Sequence, residues 1–444
     1  MTVDALAPHS GSGTSHPRGL GRRQVHAVAA CYFVASFAAL GLPPYLTAIL
    51  PALGDPQGRW AGVLYIVPTV FSALGAPLWG RLADRFGRKR LLLRAQLGLT
   101  VSFLLAGAAD DLPAFTLALV LQGFLGGTFA ATNGYLAAAL EGPRLSRALT
   151  LMQGSARAAL VAAPVLVGAL SPWIDPHRQY LLMAVLPLAA AALLSLLPEP
   201  ARPPARAAGP GEGPADGLGE GLGEGLAEGL GDDRGDARGS GPGCGARPAA
   251  GAAPGGRAPL AVLYALEFAF VFATVISFPY LISLAQDRLP GVSGTTTGAL
   301  FALPHLCYLA FAARTHTAFL ARPHTGIALG FGLVALGLAG HAVTDSLPAF
   351  VAVRLLLGAG LTLGLVCLSV LAAEAARGRA PGRMFGTLEF VSKGGAVAAG
   401  AVAALANARF GAAAPVLAGT VAAGLAAAAA AALTLPPRKR WSPR

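Results

Sequence analysis

The feature that most constrains this chain is a series of apolar runs, each about the length a helix needs to cross a bilayer. Such a crossing takes about 20 predominantly apolar residues. Runs of that length recur along the 444 residues, and polar residues collect between them. In hydrocarbon every backbone N–H and C=O must be paired internally, so only helices or a closed barrel can span. Barrel strands alternate apolar and polar residues. These runs are continuous, so the chain is expected to be an all-α membrane protein. Composition agrees: 55% of residues are hydrophobic and 12% charged, about half the charge of an ordinary soluble domain. Mean hydropathy is +0.60.

Spans are expected near residues 25–50, 60–80, 91–109, 113–139, 147–171 and 179–197, then near 259–284, 296–313, 325–342, 347–373, 384–406 and 412–435. The predicted organisation is an N-terminal tail (1–24), a six-helix bundle (25–198), a linker (199–257), a second six-helix bundle (258–435) and a basic tail (436–444). The N-terminal stretch has no apolar signal core, so the first run is expected to be retained as span 1. The linker is rich in Gly, Pro and Ala and carries "GLGEGLGEGLAEGLGDD" at 217–233. It cannot bury a core, and its glycines oppose a helix. A flexible tether is favoured over a binding motif.

Basic residues set the expected orientation, because cytoplasmic loops are enriched in Lys and Arg. Arg22, Arg23, Arg144, Arg147, Arg322, Arg377, Arg379, Arg383, Arg438, Lys439 and Arg440 fall on one side, with the basic turn at 81–90. The other side holds Arg59, Arg178, Arg288 and Arg409 and is richer in acids. Both termini and the tether are therefore expected in the cytoplasm. This topology accounts for the net charge of +12 without a nucleic-acid partner.

The halves repeat each other. "DDLPAF" begins at Asp110 and "DSLPAF" at Asp345, an offset of 235, and seven of fourteen positions from there are identical. "PYL" at 44–46 returns at 279–281 at the same offset, and "GVLYIVP" at Gly62 returns as "GALFALP" at Gly298. A pair of parallel repeats with a site between them is a transporter layout. Tyr45 and Tyr280 are expected at the membrane interface, which Tyr favours.

The turn between spans 2 and 3, "GRLADRFGRKR", resembles the signature loop of the major facilitator superfamily through Gly80, Leu82, Asp84, Arg85, Gly87, Arg88 and Lys89. The context resembles the drug:proton antiporter branch. The resemblance implies the major facilitator fold, twelve transmembrane helices in two pseudo-symmetric six-helix bundles. It also implies a gating role for Gly80, Asp84, Arg85, Gly87, Arg88 and Lys89, with Asp84 facing span 11. The second half, "RTHTAFLARPHT", lacks this pattern. Other family positions depart. Span 4 keeps Gln122 and Gly123 but has Leu119 where the family often has Arg, and Arg354 stands at the equivalent place in span 10. The antiporter motif of span 5 is reduced to "APVLVG", retaining Pro164 and Gly168.

A charge at the bilayer centre costs roughly 2.5–3.5 kcal/mol on insertion scales. Arg157, Glu267, Arg354, Glu389 and Lys393 therefore need reasons. The resemblance places their spans around a central cavity. Arg157, Arg354 and Lys393 are candidate contacts for an anionic substrate, with Tyr32, Gln122 and Asn133 completing the set. Internal neutralisation is the competing reading, since Glu389 and Lys393 stand at i and i+4. Glu267, a lone acid in an apolar span, is the leading candidate proton carrier, and Glu389 the second. His305 is a further polar candidate, expected simply to be packed.

No phosphate-binding loop, His-Glu-x-x-His or Gly-x-Ser-x-Gly occurs, so ATP-driven or hydrolytic chemistry is not expected. Nor is a cofactor or metal, since the four cysteines form no ligand pattern. The expected protein is a monomeric, multi-pass secondary transporter of the cell membrane, not an enzyme. It exports a drug-like amphiphile or an anionic metabolite by proton antiport. The stretch "GRMFGTLEFVSKGGAVAAG" faintly resembles exporters of carboxylate siderophores. Import of a small organic anion with protons, or sensing without transport, are the alternatives.

Overall fold

The computed structural model describes residues 20–140, 142–197, 260–376 and 381–434. The tether at 199–257, the basic tail at 436–444 and most of the N-terminal tail lie outside the described residues.

The described chain is helical and runs as twelve rods, six on each side of the tether. The first half comprises α1a (Arg22–Gly41) and α1b (Leu46–Ile49), α2 (Ala61–Phe86), α3 (Arg88–Ala108), α4a (Leu112–Leu125) and α4b (Thr128–Ala139), α5 (Gly142–Leu170) and α6 (Gln179–Ser195). The second comprises α7a (Leu260–Val275) and α7b (Leu281–Arg288), α8 (Gly294–Phe319), α9 (Pro323–Val343), α10 (Leu347–Ala376), α11 (Pro381–Phe410) and α12 (Ala414–Thr434). Among the described residues, nine helical segments are long and apolar enough to cross a membrane, and 61–76, 112–125 and 179–195 are shorter apolar helices.

Three expected spans are broken rather than continuous, each for a local reason. α1 and α7 both break at the repeated Pro-Tyr, where short 3-10 turns, Pro43–Tyr45 and Phe278–Tyr280, replace the α-helix. Proline has no N–H to continue the ladder. α4 breaks at Gly126 and at Gly127, whose φ of +76° is a left-handed conformation natural to glycine. The carbonyls released there are taken by side chains. Trp79 Nε1 donates to Phe124 O at 2.7 Å, and Arg94 donates to Gly126 O at 3.1 Å. The Arg94 guanidinium lies 3.3 Å over the Trp79 ring. Arg94 belongs to the body of α3.

The repeated Asp-x-Leu-Pro starts a helix. Asp111 caps α4a by accepting the Ala114 N–H at 2.8 Å, and Pro113 sits in the first turn.

Packing shows how the halves join. α5 lies along α8, and α2 along α11. Glycines allow these approaches. A Cβ on Gly298 would fall 2.2 Å from Pro164 O, and one on Gly62 would fall 2.6 Å from Gly400 O. Gly168 meets Gly294 in the same way. Near the two Pro-Tyr turns a single apolar core crosses the interface, from Leu46 and Ile49 to Ile276 and Ala403. Elsewhere each half keeps its own core, one around Tyr135 and Met152, the other around Phe331 and Leu338. The halves are thus sealed together at the Pro-Tyr end.

Tyr45 and Tyr280 do not sit at a membrane interface as expected. Each is 2% exposed. Tyr45 Oη donates to Pro164 O at 2.6 Å and reaches Gly294 O of the other half at 3.3 Å. Tyr280 Oη donates to Arg59 O at 3.2 Å and accepts the Gly62 N–H at 3.1 Å. The repeated tyrosines are matched clasps across the interface.

Candidate functional site

A cavity of about 330 Å³ lies between the halves. α5 contributes Gln153 and Arg157, α7a contributes Glu267, α8 contributes His305 and Tyr308, and α11 contributes Glu389 and Ser392. Phe270, Phe278 and Leu361 supply apolar wall. Concave, mostly apolar sites with a few converging polar groups are the usual form of small-molecule sites.

Arg157 holds its guanidinium 5.2 Å from the Tyr308 ring centroid, a favourable face for a cation. Ser392 and Glu389 stand beside the Glu267 carboxylate and act on it. Lys393 pairs with Glu389 at 3.3 Å, and both side chains are more than a third exposed. The expected i, i+4 pair therefore forms. Tyr32 is buried beside the cavity, within electrostatic reach of Arg157 and Glu389. Arg157, Glu267 and Glu389, far apart in sequence, share one chamber.

Other expected residues are placed elsewhere. Arg354 is 1% exposed and does not line the cavity. Its Nε donates to Leu300 O at 2.7 Å and its Nη2 to Phe301 O at 2.9 Å. The reason is Pro304, inside α8. It offers no N–H to the carbonyl four residues back, so Leu300 O needs another donor. Arg354→Leu is expected to lower stability by about 1–3 kcal/mol through these buried carbonyls. Arg354→Lys recovers little, because the fork of donors is lost. Thermal unfolding of both variants in detergent checks this. Gln122 is buried on α4a, next to Gly123, which packs on the Pro68 backbone. It is not a cavity-lining residue. The side chain of Asn133 lies outside the described set.

Pro164 and Gly168 lie where α5 crosses α8, so the span 5 motif forms the contact between halves. At the signature turn, Gly87 has φ +98° and separates α2 from α3. Lys89 Nζ donates to Ser195 O at 2.9 Å and to Leu197 O, capping the end of α6. Arg85 stacks on Phe86, and Arg88 begins α3. The side chains of Gly80's neighbour Arg81 and of Asp84 are outside the described set. α2 packs on α11 where Gly62 and Ile66 meet Gly400, at the opposite end of α2 from Asp84.

Among the lining residues that escaped the sequence reading are the polar Gln153, Thr274, Tyr308, Ser369 and Ser392 and the apolar Phe278. Ser392 adjoins Lys393 and Tyr308 lies three residues after His305, so polar side chains within apolar spans were the available signal.

Two pseudo-symmetric helical bundles enclosing a mostly apolar cavity with a few polar groups at their interface define the class, a multi-pass helical membrane protein. Residues 28–225 match the family model described as Major Facilitator Superfamily. It is 33% identical over 160 residues to "Multidrug resistance protein MdtG" of Dickeya zeae, covering 35% of this chain and 39% of that protein. It is 36% identical over 123 residues to the Klebsiella pneumoniae protein of the same name, covering 27% of this chain and 30% of that protein. The matches thus span less than half the length of these relatives. The structure is similar to that of the human organic anion transporter MFSD10 (TETRAN), with TM-score 0.60 and 20% identity over 92% of this chain and 99% of that one. That likeness shows the fold.

Proposed function

We propose that this protein is a monomeric secondary active exporter of the cytoplasmic membrane, with both termini in the cytoplasm. It moves a small amphipathic or anionic molecule outward in exchange for protons. The observation that carries the reading is the cavity whose polar groups come from both halves, Arg157 from one and Glu267, Ser392 and Glu389 from the other. Rocking of residues 25–198 against 258–435 changes their separation and exposes the cavity to each side in turn. The Pro-Tyr end is the outer end in this orientation, so the structure corresponds to a state closed towards the outside. Glu267 carries the proton, and protonation changes its attraction for the substrate and for Arg157. The relatives' names support a drug-like substrate, and the guanidinium in the cavity supports an acid among the molecules carried.

The test is transport in everted vesicles of cells expressing the protein. An imposed proton gradient is expected to drive uptake of a fluorescent drug-like dye or an aromatic acid. Glu267→Gln is expected to bring gradient-driven uptake to background while exchange of labelled for unlabelled substrate continues. Gradient-driven uptake that survives this substitution removes Glu267 from proton coupling. Movement only in the opposite direction replaces export by import.

A further inference from the structure

The proposed function makes no use of His305, and its surroundings are specific. It is 2% exposed, lines the cavity, and its Nδ1 has no hydrogen-bond partner among the described residues. Of the other helical histidines, His26 and His341 satisfy Nδ1 locally, while His316 Nδ1 also has no partner among the described residues. His26 donates to Arg22 O at 2.8 Å, and His341 to Gly337 O, each four residues back. The corresponding carbonyl for His305 is Phe301 O, and Arg354 Nη2 already donates to it. The cation that repairs the Pro304 defect thus occupies the local partner of the His305 ring. A buried polar atom without a partner is costly, and a bound ligand is one way to supply the partner.

The charge around the ring defines what that ligand is. The ionised groups acting on His305 are Arg157 and Arg354. The acids Glu267 and Glu389 act on each other at the α7a–α11 side, where Ser392 and Lys393 engage them. The cavity therefore has an acidic side and a basic side. The basic side is also aromatic. Phe278 meets the His305 ring edge-on at 6.0 Å, and Tyr308 carries Arg157 at 5.2 Å. Resting on the export reading for its site, we infer that His305 and Arg157 together receive the anionic group of an aromatic carboxylate or sulfonate. His305 is then a residue that sets specificity. Its ring nitrogen and the guanidinium donate to one anion, and the aromatic body rests on Phe278.

The experiment measures binding, not transport, on the full-length protein in lipid nanodiscs by titration calorimetry. The probes are 2-naphthoate and its cationic counterpart 2-naphthylmethylammonium. The wild-type protein is expected to bind the anion at least about tenfold more tightly, the usual worth of one charge-assisted hydrogen bond. His305→Phe keeps the ring volume and removes both nitrogens. It is expected to weaken naphthoate about tenfold and to leave the ammonium probe unchanged. His305→Gln, which restores an N–H donor, is expected to recover most of the loss. If the Phe variant does not purify as a monodisperse protein, His305→Leu carries the same comparison. Equal binding of both probes, no saturable binding of naphthoate, or naphthoate affinity indifferent to both His305 substitutions overturns the inference. A protein that pumps dye in vesicles yet shows no preference for the anion keeps the export reading and loses this one. A protein that binds naphthoate through His305 but transports nothing does the reverse.

Discussion

Gly298→Leu is expected to abolish a stable folded protein, or at the least to separate the two halves along α5 and α8. A Cβ there would stand 2.2 Å from Pro164 O and 2.7 Å from Tyr45 Oη. The obstacle is backbone, which cannot rotate away as a side chain can. The reciprocal position is as tight, since a Cβ on Gly168 would lie 1.9 Å from Gly294 O. Overpacking in a core costs typically about 1–3 kcal/mol when side chains can adjust. Two helix backbones in contact leave less room for adjustment, so the loss should sit at or above that range. Gly332 supplies the control, because nothing lies within 4 Å of its built Cβ. Gly332→Ala should be neutral or raise stability slightly by helix propensity, up to about 1 kcal/mol. Thermal unfolding of the purified variants reads both. A Gly298→Leu protein with unchanged melting would mean that α5 and α8 are not in contact as described.

Tyr45→Phe combined with Tyr280→Phe is expected to open the Pro-Tyr end. Each hydroxyl joins a break in one half to backbone of the other, Tyr45 to Gly294 and Tyr280 to Arg59 and Gly62. Phenylalanine preserves the packing of the merged core and removes only the hydroxyl. Leaving the buried backbone partners unsatisfied costs about 1–3 kcal/mol at each site. Under the proposed alternating access the two states differ by a few kcal/mol, as two conformations of one protein commonly do. The double variant should therefore move a large part of the population towards the state open at this end. Hydrogen–deuterium exchange reports it directly, as faster exchange in peptides covering α1b and α7b with no change in α9 and α12. Each single variant should give an intermediate effect, because the clasps are separate. Equal exchange in wild type and double variant would show that the apolar core alone holds this end shut.

Part of the site was legible because the bilayer makes charge expensive. Arg157, Glu267 and Glu389 stand out in apolar runs for that reason, and the structure collects them in one cavity. The i, i+4 spacing of Glu389 and Lys393 is a local relation, and it becomes a salt bridge. Arg354 stood out equally, yet it turns to the carbonyls freed by Pro304. Proline 304 was visible in the sequence, but not which neighbouring helix would repair its defect. His305 looked like an ordinary packed histidine. Unlike His341, it finds its local carbonyl occupied by an arginine from another helix. The repeated tyrosines carried a detectable signal, their constant offset, but their polar tips could serve water or backbone equally well.

Sequence alone determined the helical class and the duplication. These follow from local and periodic properties: apolar length against bilayer thickness, proline and glycine breaks, and a motif in register with its repeat. Only the tertiary structure decided which face each helix turns to its neighbours. It brought the halves together on glycines that admit backbone to backbone. It also paired buried donors with particular carbonyls, and so chose which charged and polar side chains were left to face the cavity. Hydrogen bonds formed between distant helices depend on approach and orientation in three dimensions, and no spacing along the chain encodes them.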